Sequence, residues 1–600
     1  MSIAALTEAL GHLRDALASV RLPLGLPGSV DAAGSARTIV TQLDDYVLPR
    51  LATLDAPLLC VIGGSTGAGK STLVNSLIGR VVSRPGVIRP TTRSPVLVHH
   101  PDDVASFQSD RILPGLGRSF EQSNDTATLQ LVAEPTLPRG LALLDAPDID
   151  SVVHENRALA AQLLQAADLW LFVTSAARYA DAVPWEYLRS AADRAAAVAV
   201  VLDRVPPAAM SEVPPHLGRL MTERGLAHSP LFAVPETAVD AQGLLPDAAV
   251  SPIRGWLAAL AEDQASRQAV VLQTLDGAIG SLTVKAPQVA AAVDDQVDAL
   301  RQLRADADAS FAEANRTIGV QTADGTLLRG EVLARWQDFV GTGEFMRTVE
   351  QKIGWLRDKL VASFKGEPAQ AGQVKLAVES GLEALVREEG AAAAERAEAA
   401  WNASPAGREV LARTRDDLAR TSPEFDQAVA RAIRDWQGDV LELVSEVGAT
   451  KRTTARYLAL GVNGVGVALM IVVFSHTAGI SGAEVGIAGG TALLAQRLLE
   501  AVFGEDAVRG LTKRAKQQLD ERIAAVLADE LRRYHVALAE TGVDATQADG
   551  VRVAVAALNA TRGQTSLALP VPEETSAIEG RVLDAPPEIE GYRVEVDRGR

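Results

Sequence analysis

The segment Gly64-Ser65-Thr66-Gly67-Ala68-Gly69-Lys70-Ser71 constrains this chain more than any other. It has the spacing of a Walker A loop, follows an apolar run from Leu58 to Ile62, and opens a helical run from Thr72 to Ile78. That strand, loop and helix are the setting the motif needs. Its glycines let main-chain N–H groups turn inward around a β-phosphate, and the helix that follows directs its positive end at the same anion. Residues 64–72, including Thr72 in the first helical turn, are therefore read as the phosphate cradle. Lys70 is spaced to reach the β- and γ-phosphate oxygens, and Ser71 to give its hydroxyl to Mg²⁺.

A second group belongs with the loop. Asp145 ends the apolar run Leu141 to Leu144, where an aspartate can hold the metal through water. Between Leu58 and Pro252 short apolar runs alternate with helical or loop segments: Val96 to Val98, Leu129 to Val132, Leu141 to Leu144, Leu169 to Val173, Val198 to Leu202 and Leu231 to Val234. This alternation predicts an α/β domain over 56–256 with a mostly parallel, doubly wound sheet. Ahead of it, Ile3, Leu6, Leu10, Leu13, Leu17 and Val20 recur at three and four, an amphipathic helix rather than a signal peptide. With a second helical stretch from Ala36 to Leu54, residues 1–55 are expected to pack on a helical bundle.

Beyond Trp256 the strand-like runs stop and a helical period takes over in Val293, Val297, Leu300, Leu303, Ala307, Phe311, Ala314 and Ile318. Abundant alanine and an aromatic content of only 4% fit long helices packed through small side chains. A large all-α bundle is expected over 257–450, with Glu383 and Arg387 one turn apart on a solvated face. A returning helix is expected over 511–562, carrying Leu519, Ile523, Leu527, Leu531, Tyr534 and Leu538, and a disordered tail over 563–600. The net charge of −18 opposes a general nucleic-acid binder. Cys60, the single cysteine, excludes an intramolecular disulfide and suits a reducing compartment.

Within 451–510, Tyr457 to Phe474 carries no charge, and a shorter apolar run from Val485 to Ala495 follows. Lys451, Arg452 and Arg456 precede these arms, and Arg497, Arg509, Lys513, Arg514 and Lys516 follow them. Two readings are compatible with this pattern. One is an apolar membrane hairpin over 457–495 held by cytoplasmic-leaflet lipids at basic flanks. The other is a buried bundle hairpin, in which Gly461, Gly464 and Gly466 let helices approach closely.

The order of the motifs resembles that of Era-like and dynamin-like P-loop GTPases, bacterial dynamin-like proteins among them. Thr92-Arg93-Ser94-Pro95 is similar to the Thr-Arg-Arg-Pro switch of dynamins, and Asp145-Ala146-Pro147-Asp148 to their Asp-x-Pro-Gly switch. The resemblance implies that Thr92 closes over the γ-phosphate, binds Mg²⁺ beside Ser71 and Asp145, and helps place the attacking water. It also implies GTP as the nucleotide, hydrolysis at Lys70 and Thr92, self-association through the G domain, and action at the cytoplasmic face of a membrane. Three departures qualify it. Asp148 replaces a glycine whose N–H would approach the γ-phosphate, Gly67 stands where dynamins carry Ser or Asn, and Asp203-Arg204-Val205-Pro206 stands where the guanine-reading motif belongs. There Asp203 can accept a hydrogen bond and Arg204 can stack on a purine, and ATP is not excluded. A slowly hydrolysing nucleotide-gated scaffold and a soluble regulatory P-loop protein are the rival readings.

His99-His100 reads as a solvated strand end rather than a metal pair, because no third ligand is spaced nearby. Trp170, Trp185 and Trp336 read as packing residues.

Overall fold

The computed structural model describes residues 3–83, 94–108, 113, 115–122, 125, 127–151, 154–192, 196–324, 326–328, 331–332, 334–335, 368–449, 465–474, 495–496, 499–500 and 503–564. These fall into two compact units. The first takes in the described parts of Met1–Arg21, Val30–Asp294 and Asp544–Arg600; the second takes in those of Leu22–Ser29 and Asp295–Val543.

An 8-stranded sheet forms the centre of the first unit, in the order β3-β4-β2-β5-β1-β6-β7-β8. Its strands are β1 (Leu58–Gly64), β2 (Val96–His99), β3 (Gly117–Ser119), β4 (Thr128–Ala133), β5 (Leu141–Asp145), β6 (Leu169–Ser175), β7 (Ala197–Val205) and β8 (Leu231–Pro235). Only the β2–β5 pair is antiparallel; the other neighbours run parallel. Every residue of β1, β5 and β6 is buried, as continuous apolar strands covered on both faces require. In β4, nearer the edge, burial falls on alternate residues such as Leu129 and Leu131. The seven apolar runs expected as strands all pair in this sheet. The added strand, β3, has only three residues, none of them buried, and no apolar pattern to betray it.

The registers put the business ends together. Ile62 lies opposite Asp145, Gly64 opposite Val173, and Ser175 opposite Asp203. The C-terminal ends of β1, β5, β6 and β7 therefore share one edge, the crevice side of a doubly wound sheet.

The helix α1 (Ile3–Ser19) buries Leu6, Leu10, Leu13 and Leu17, the stripe that its spacing predicts. It lies along the helix Ala545–Gln564 within the first unit. The expected arrangement has the N-terminal helices on the bundle and one returning helix through 511–562. Instead Glu505–Ala539 ends before Gly542, whose φ of 67° turns the chain, and Ala545–Gln564 is a separate helix. The N-terminal helical stretch also starts earlier than expected, as α2 (Ser29–Gln42), continuing through a π-helical turn Leu43–Val47 into α3 (Leu48–Ala52).

The second unit is all helix among its described residues. The helix Gln264–Gln321 contributes to both units, and the second adds Pro368–Ala403, Pro405–Arg413, Phe425–Ala449 and Glu505–Ala539. Its core is stapled by aromatic side chains whose polar atoms reach backbone carbonyls. Trp401 Nε1 donates to Leu303 O at 2.8 Å, Trp436 Nε1 to Ala515 O at 2.8 Å, and the Tyr534 hydroxyl to Leu418 O at 2.5 Å. Glu383 and Arg387 do meet, at 2.8 Å.

The membrane hairpin expected over 457–495 is not found among the described residues. Of its first arm Val465–Phe474 are described, all at most 3% exposed apart from Gly466. Phe474 packs on Trp436 with ring centroids 5.7 Å apart, and a Cβ on Gly466 would stand 2.6 Å from Leu441. This part behaves as bundle core, with Gly466 permitting the close approach. The rest of both arms lies outside the described residues, except Ala495, which is buried. No helix among the described residues is long and apolar enough to cross a membrane. Of the basic flank, Arg509 pairs with Glu505 and Asp506, Arg514 with Glu446, and Lys516 with Asp520, so much of that charge is matched locally.

Candidate phosphate-binding site

The loop between β1 and the helix α4 (Lys70–Ile78) begins at Gly64. Gly64 has φ +150°, and a Cβ there would stand 2.0 Å from the carbonyl oxygen of Val173 on β6. Only glycine lets β1 pass that close and still turn. Gly69, the N-cap of α4, has φ +95°, and a Cβ would fall 2.2 Å from the Asp203 carboxylate at the end of β7. The two glycines thus bring the loop against β6 and β7 at the N-terminus of α4. Ala68 and Ser65 are buried, and Ala68 N–H closes a turn onto Ser65 O at 3.1 Å.

Lys70 folds back over the loop and is only 5% exposed. Its Nζ donates to Gly64 O at 2.9 Å, to Ser65 O at 3.0 Å and to the carboxylate of Asp148. The ammonium is thus held where an anion would meet it, but a carboxylate holds it there.

Ser71 Oγ donates to Asp145 Oδ2 at 2.6 Å. Asp145 is fully buried, and its Oδ1 has no hydrogen-bond partner among the described residues. Burial pushes this carboxyl upward, while hydrogen bonds from Ser71 and Ser83 and the charge of Lys70 pull it down. A serine hydroxyl and a carboxylate with an open buried oxygen are hard donors of the kind Mg²⁺ takes, with waters completing its shell. These residues fit that ion. Among the described residues no cluster of three or more His, Cys, Asp or Glu side chains offers another metal site.

Thr92, the remaining expected metal and catalytic residue, lies outside the described residues with the rest of 84–93. Thr72 sits in the first turn of α4, where its carbonyl accepts from Ser76 Oγ at 2.7 Å. At the base side, Asp203 and Arg204 do reach the loop. Asp203 is buried, its Oδ1 has no partner among the described residues, and burial pushes its carboxyl up against the pull of Arg204. Arg204, in a left-handed conformation at φ 52°, donates its guanidinium to Gly67 O.

Three residues that the sequence reading missed also belong here. Asp150 accepts from Thr66 N at 2.5 Å and from Thr66 Oγ1 at 2.7 Å. Arg178, in the loop after β6, pairs with Asp150 at 2.8 Å and donates to Thr66 O at 3.1 Å. Burial works against the Asp150 carboxylate, but Thr66 and Arg178 outweigh it and hold the group below its ordinary range. The third is Ser83, whose hydroxyl donates to Asp145 Oδ2 at 2.6 Å.

His99 corrects another expectation. It is buried, with its ring 5.5 Å from that of Phe107, because β2 lies inside the sheet between β4 and β5. Trp170 and Trp185 are buried; Trp336 lies outside the described residues.

The sheet, the loop and the paired serine and aspartate define a P-loop nucleotide-binding domain. Residues 59–203 match the family model described as "Dynamin family". Over 132 residues the chain is 26% identical to the "Probable transmembrane GTPase FZO-like, chloroplastic" of Arabidopsis thaliana, a match covering 22% of this chain and 13% of that protein. The resemblance to dynamin-like GTPases is therefore shown, and the family match runs from β1 into β7, short of β8. The chain aligns with only a small part of that relative's length. Among solved structures, one described as "An oligomerised bacterial dynamin pair provides a mechanism for the long-range sensing and tethering of membranes" is 11% identical, covers 87% of this chain and 91% of its own, and has a TM-score of 0.36. "LeoA bacterial dynamin GTPase from ETEC" is 12% identical, covers 93% and 97%, and has a TM-score of 0.23. Scores of this size do not establish a common fold for the whole chain.

Proposed function

We propose that this chain binds and hydrolyses a nucleoside triphosphate with Mg²⁺, that the nucleotide is GTP, and that the cycle acts on membrane-associated assemblies of the protein. The observation that carries the reading is the convergence of Lys70, Ser71 and Asp145 on the loop at the β1–α4 junction. Mg²⁺, when bound, would offset the negative charge of the phosphates. Lys70 neutralises the same oxygens from the loop side. Ser71 and Asp145, paired at the strand end, would hold the ion. Loop N–H groups and the α4 N-terminus fix the phosphates. Asp150 and Arg178 clamp Thr66 and so keep the loop's outer rim in one conformation. Guanine and the membrane enter from the likeness to the FZO-like transmembrane GTPase.

The test uses the full chain. GTP is expected to displace a fluorescent GTP analogue more strongly than ATP does, turnover is expected to need Mg²⁺, and the protein is expected to float with anionic vesicles. Equal displacement by ATP would remove guanine selectivity, and absence of any nucleotide binding would remove the whole reading.

The contact between Asp148 and Lys70 favours slow turnover as a second reading. A triphosphate must take Lys70 from this carboxylate, and both ions carry the same sign of charge into one pocket. Asp148→Asn is expected to tighten GTP-analogue binding about tenfold, ~1.4 kcal/mol, measured by equilibrium titration. Unchanged or weaker binding would show that Asp148 does not compete with the phosphates.

A further inference from the structure

Ser83 stands just beyond α4 and its C-cap Gly79, in a stretch with no motif of its own. It is nevertheless held from every side. Asn75, on α4, accepts from Val82 N at 2.8 Å and from Ser83 N at 2.9 Å, and its Nδ2 donates to Ser83 O at 2.6 Å. A single amide side chain thus occupies both backbone polar groups of Ser83. Asn75 and Ser83 are themselves 1% and 2% exposed. With the backbone fixed, the hydroxyl has one outlet, and it donates to Asp145 Oδ2.

Asp145 Oδ2 therefore takes two serine hydroxyls, from Ser71 and Ser83, while buried Oδ1 takes none among the described residues. A carboxylate is free to turn about its terminal torsion, which is broad and nearly two-fold. Two donors converging on one oxygen remove that freedom and leave Oδ1 as the oxygen without a partner among the described residues. Ser71 can donate this hydrogen and still offer its oxygen to the metal, and Ser83 supplies the second donor. Among the described residues the Ser83 hydroxyl is bonded to Asp145 alone.

We infer that Ser83, fixed by Asn75, is a positioning residue for magnesium: it locks the orientation of the Asp145 carboxylate that would hold the ion. The inference rests on the reading of Ser71 and Asp145 as the metal site. Groups that orient the ligands of a metal characteristically cost about 10–100-fold in metal affinity or activity when removed.

The experiment measures binding of a fluorescent GTP analogue to the full chain, first in EDTA and then along a Mg²⁺ titration, with the thermal midpoint of the nucleotide-free protein as a folding control. For Ser83→Ala, affinity in EDTA is expected to match the wild type, while the Mg²⁺ concentration giving half of the metal-dependent gain rises about tenfold. Ser83→Cys, near in size with a weaker donor, is expected to fall between and keeps the test readable should the alanine variant not fold. A Mg²⁺ dependence identical to wild type in both variants overturns the role of Ser83. So does an equal loss with and without metal, which marks a merely structural residue. If the wild type itself shows no Mg²⁺ dependence, the metal reading of Ser71 and Asp145 falls, and the Ser83 inference falls with it.

Discussion

In Lys70→Ala the affinity of the full chain for a GTP analogue should fall about a hundredfold or more, ~2.8 kcal/mol. The size follows from where the ammonium lies. It is 5% exposed, and its three acceptors are two loop carbonyls and Asp148. A cation so shielded from water interacts with phosphate far more strongly than a surface lysine does. The variant also leaves Asp148, whose side chain is 13% exposed, facing the triphosphate with nothing between, so repulsion adds to the lost attraction. Lys70→Ala and Asp148→Asn should accordingly move affinity in opposite directions. In the double variant Asp148→Asn should recover only part of the loss, because it removes the repulsion but restores no cation. Isothermal titration of the three proteins measures all of this, with circular dichroism to establish that each is folded. Wild-type affinity in Lys70→Ala would place the nucleotide elsewhere in the molecule.

The elements that the sequence announces are those whose signal is contiguous. The strand, loop and helix around Gly64 to Ser71 are one stretch of chain, and the seven apolar runs are each long enough to need burial. What the sequence hides depends on pairing at a distance. Thr66 and Asp150 meet across 84 positions, and nothing in either residue's neighbourhood signals the other. A clue did exist: β5 pairs with β1, so the acidic stretch Asp148 to Asp150 that follows β5 has to pass in front of the loop that follows β1. His99 misled because its position in the sheet depends on strand order, which places β2 in the interior. The run Tyr457 to Phe474 misled for a different reason. Its uncharged residues satisfy a bilayer and a bundle core equally, and the buried stretch Val465–Phe474 belongs to the core among the described residues. Hydropathy measures the need for an apolar surrounding and carries no information on which surrounding supplies it.

Arg50→Met should destabilise the sheet-containing unit by about 3–5 kcal/mol near neutral pH, and the deficit should shrink as pH falls. Arg50 comes from the short helix Leu48–Ala52 and stands 2.9 Å from Asp168 at the start of β6, with side chains 5% and 2% exposed. Asp168 also accepts from Leu59 N at 2.8 Å and from the Tyr46 hydroxyl at 3.2 Å, so one buried carboxylate joins the N-terminal helical stretch to β1 and β6. Burial raises its pKa above the ordinary 3.8, and Arg50 is the largest influence holding it down. A carboxyl raised on folding binds more protons in the native state than in the unfolded one. Stability on its account is therefore greatest below 3.8 and declines as pH climbs from there through the folded value. Removing Arg50 lifts the folded value further and lengthens that decline, so the variant loses most at neutral pH. Well below 3.8 the carboxyl is protonated in both states, and only the lost packing and the hydrogen bonds from Arg50 to Thr53 O and Ala56 O remain missing. Urea unfolding of wild type, Arg50→Met, Asp168→Asn and the double variant, at about pH 7.5 and about pH 5, supplies the cycle that isolates the pair. The double variant should be more stable than Arg50→Met at the higher pH, since it no longer buries an unmatched charge. A deficit in Arg50→Met that is the same at both pH values would mean that Arg50 acts by filling space, and that the carboxylate beneath it carries no charge for it to balance.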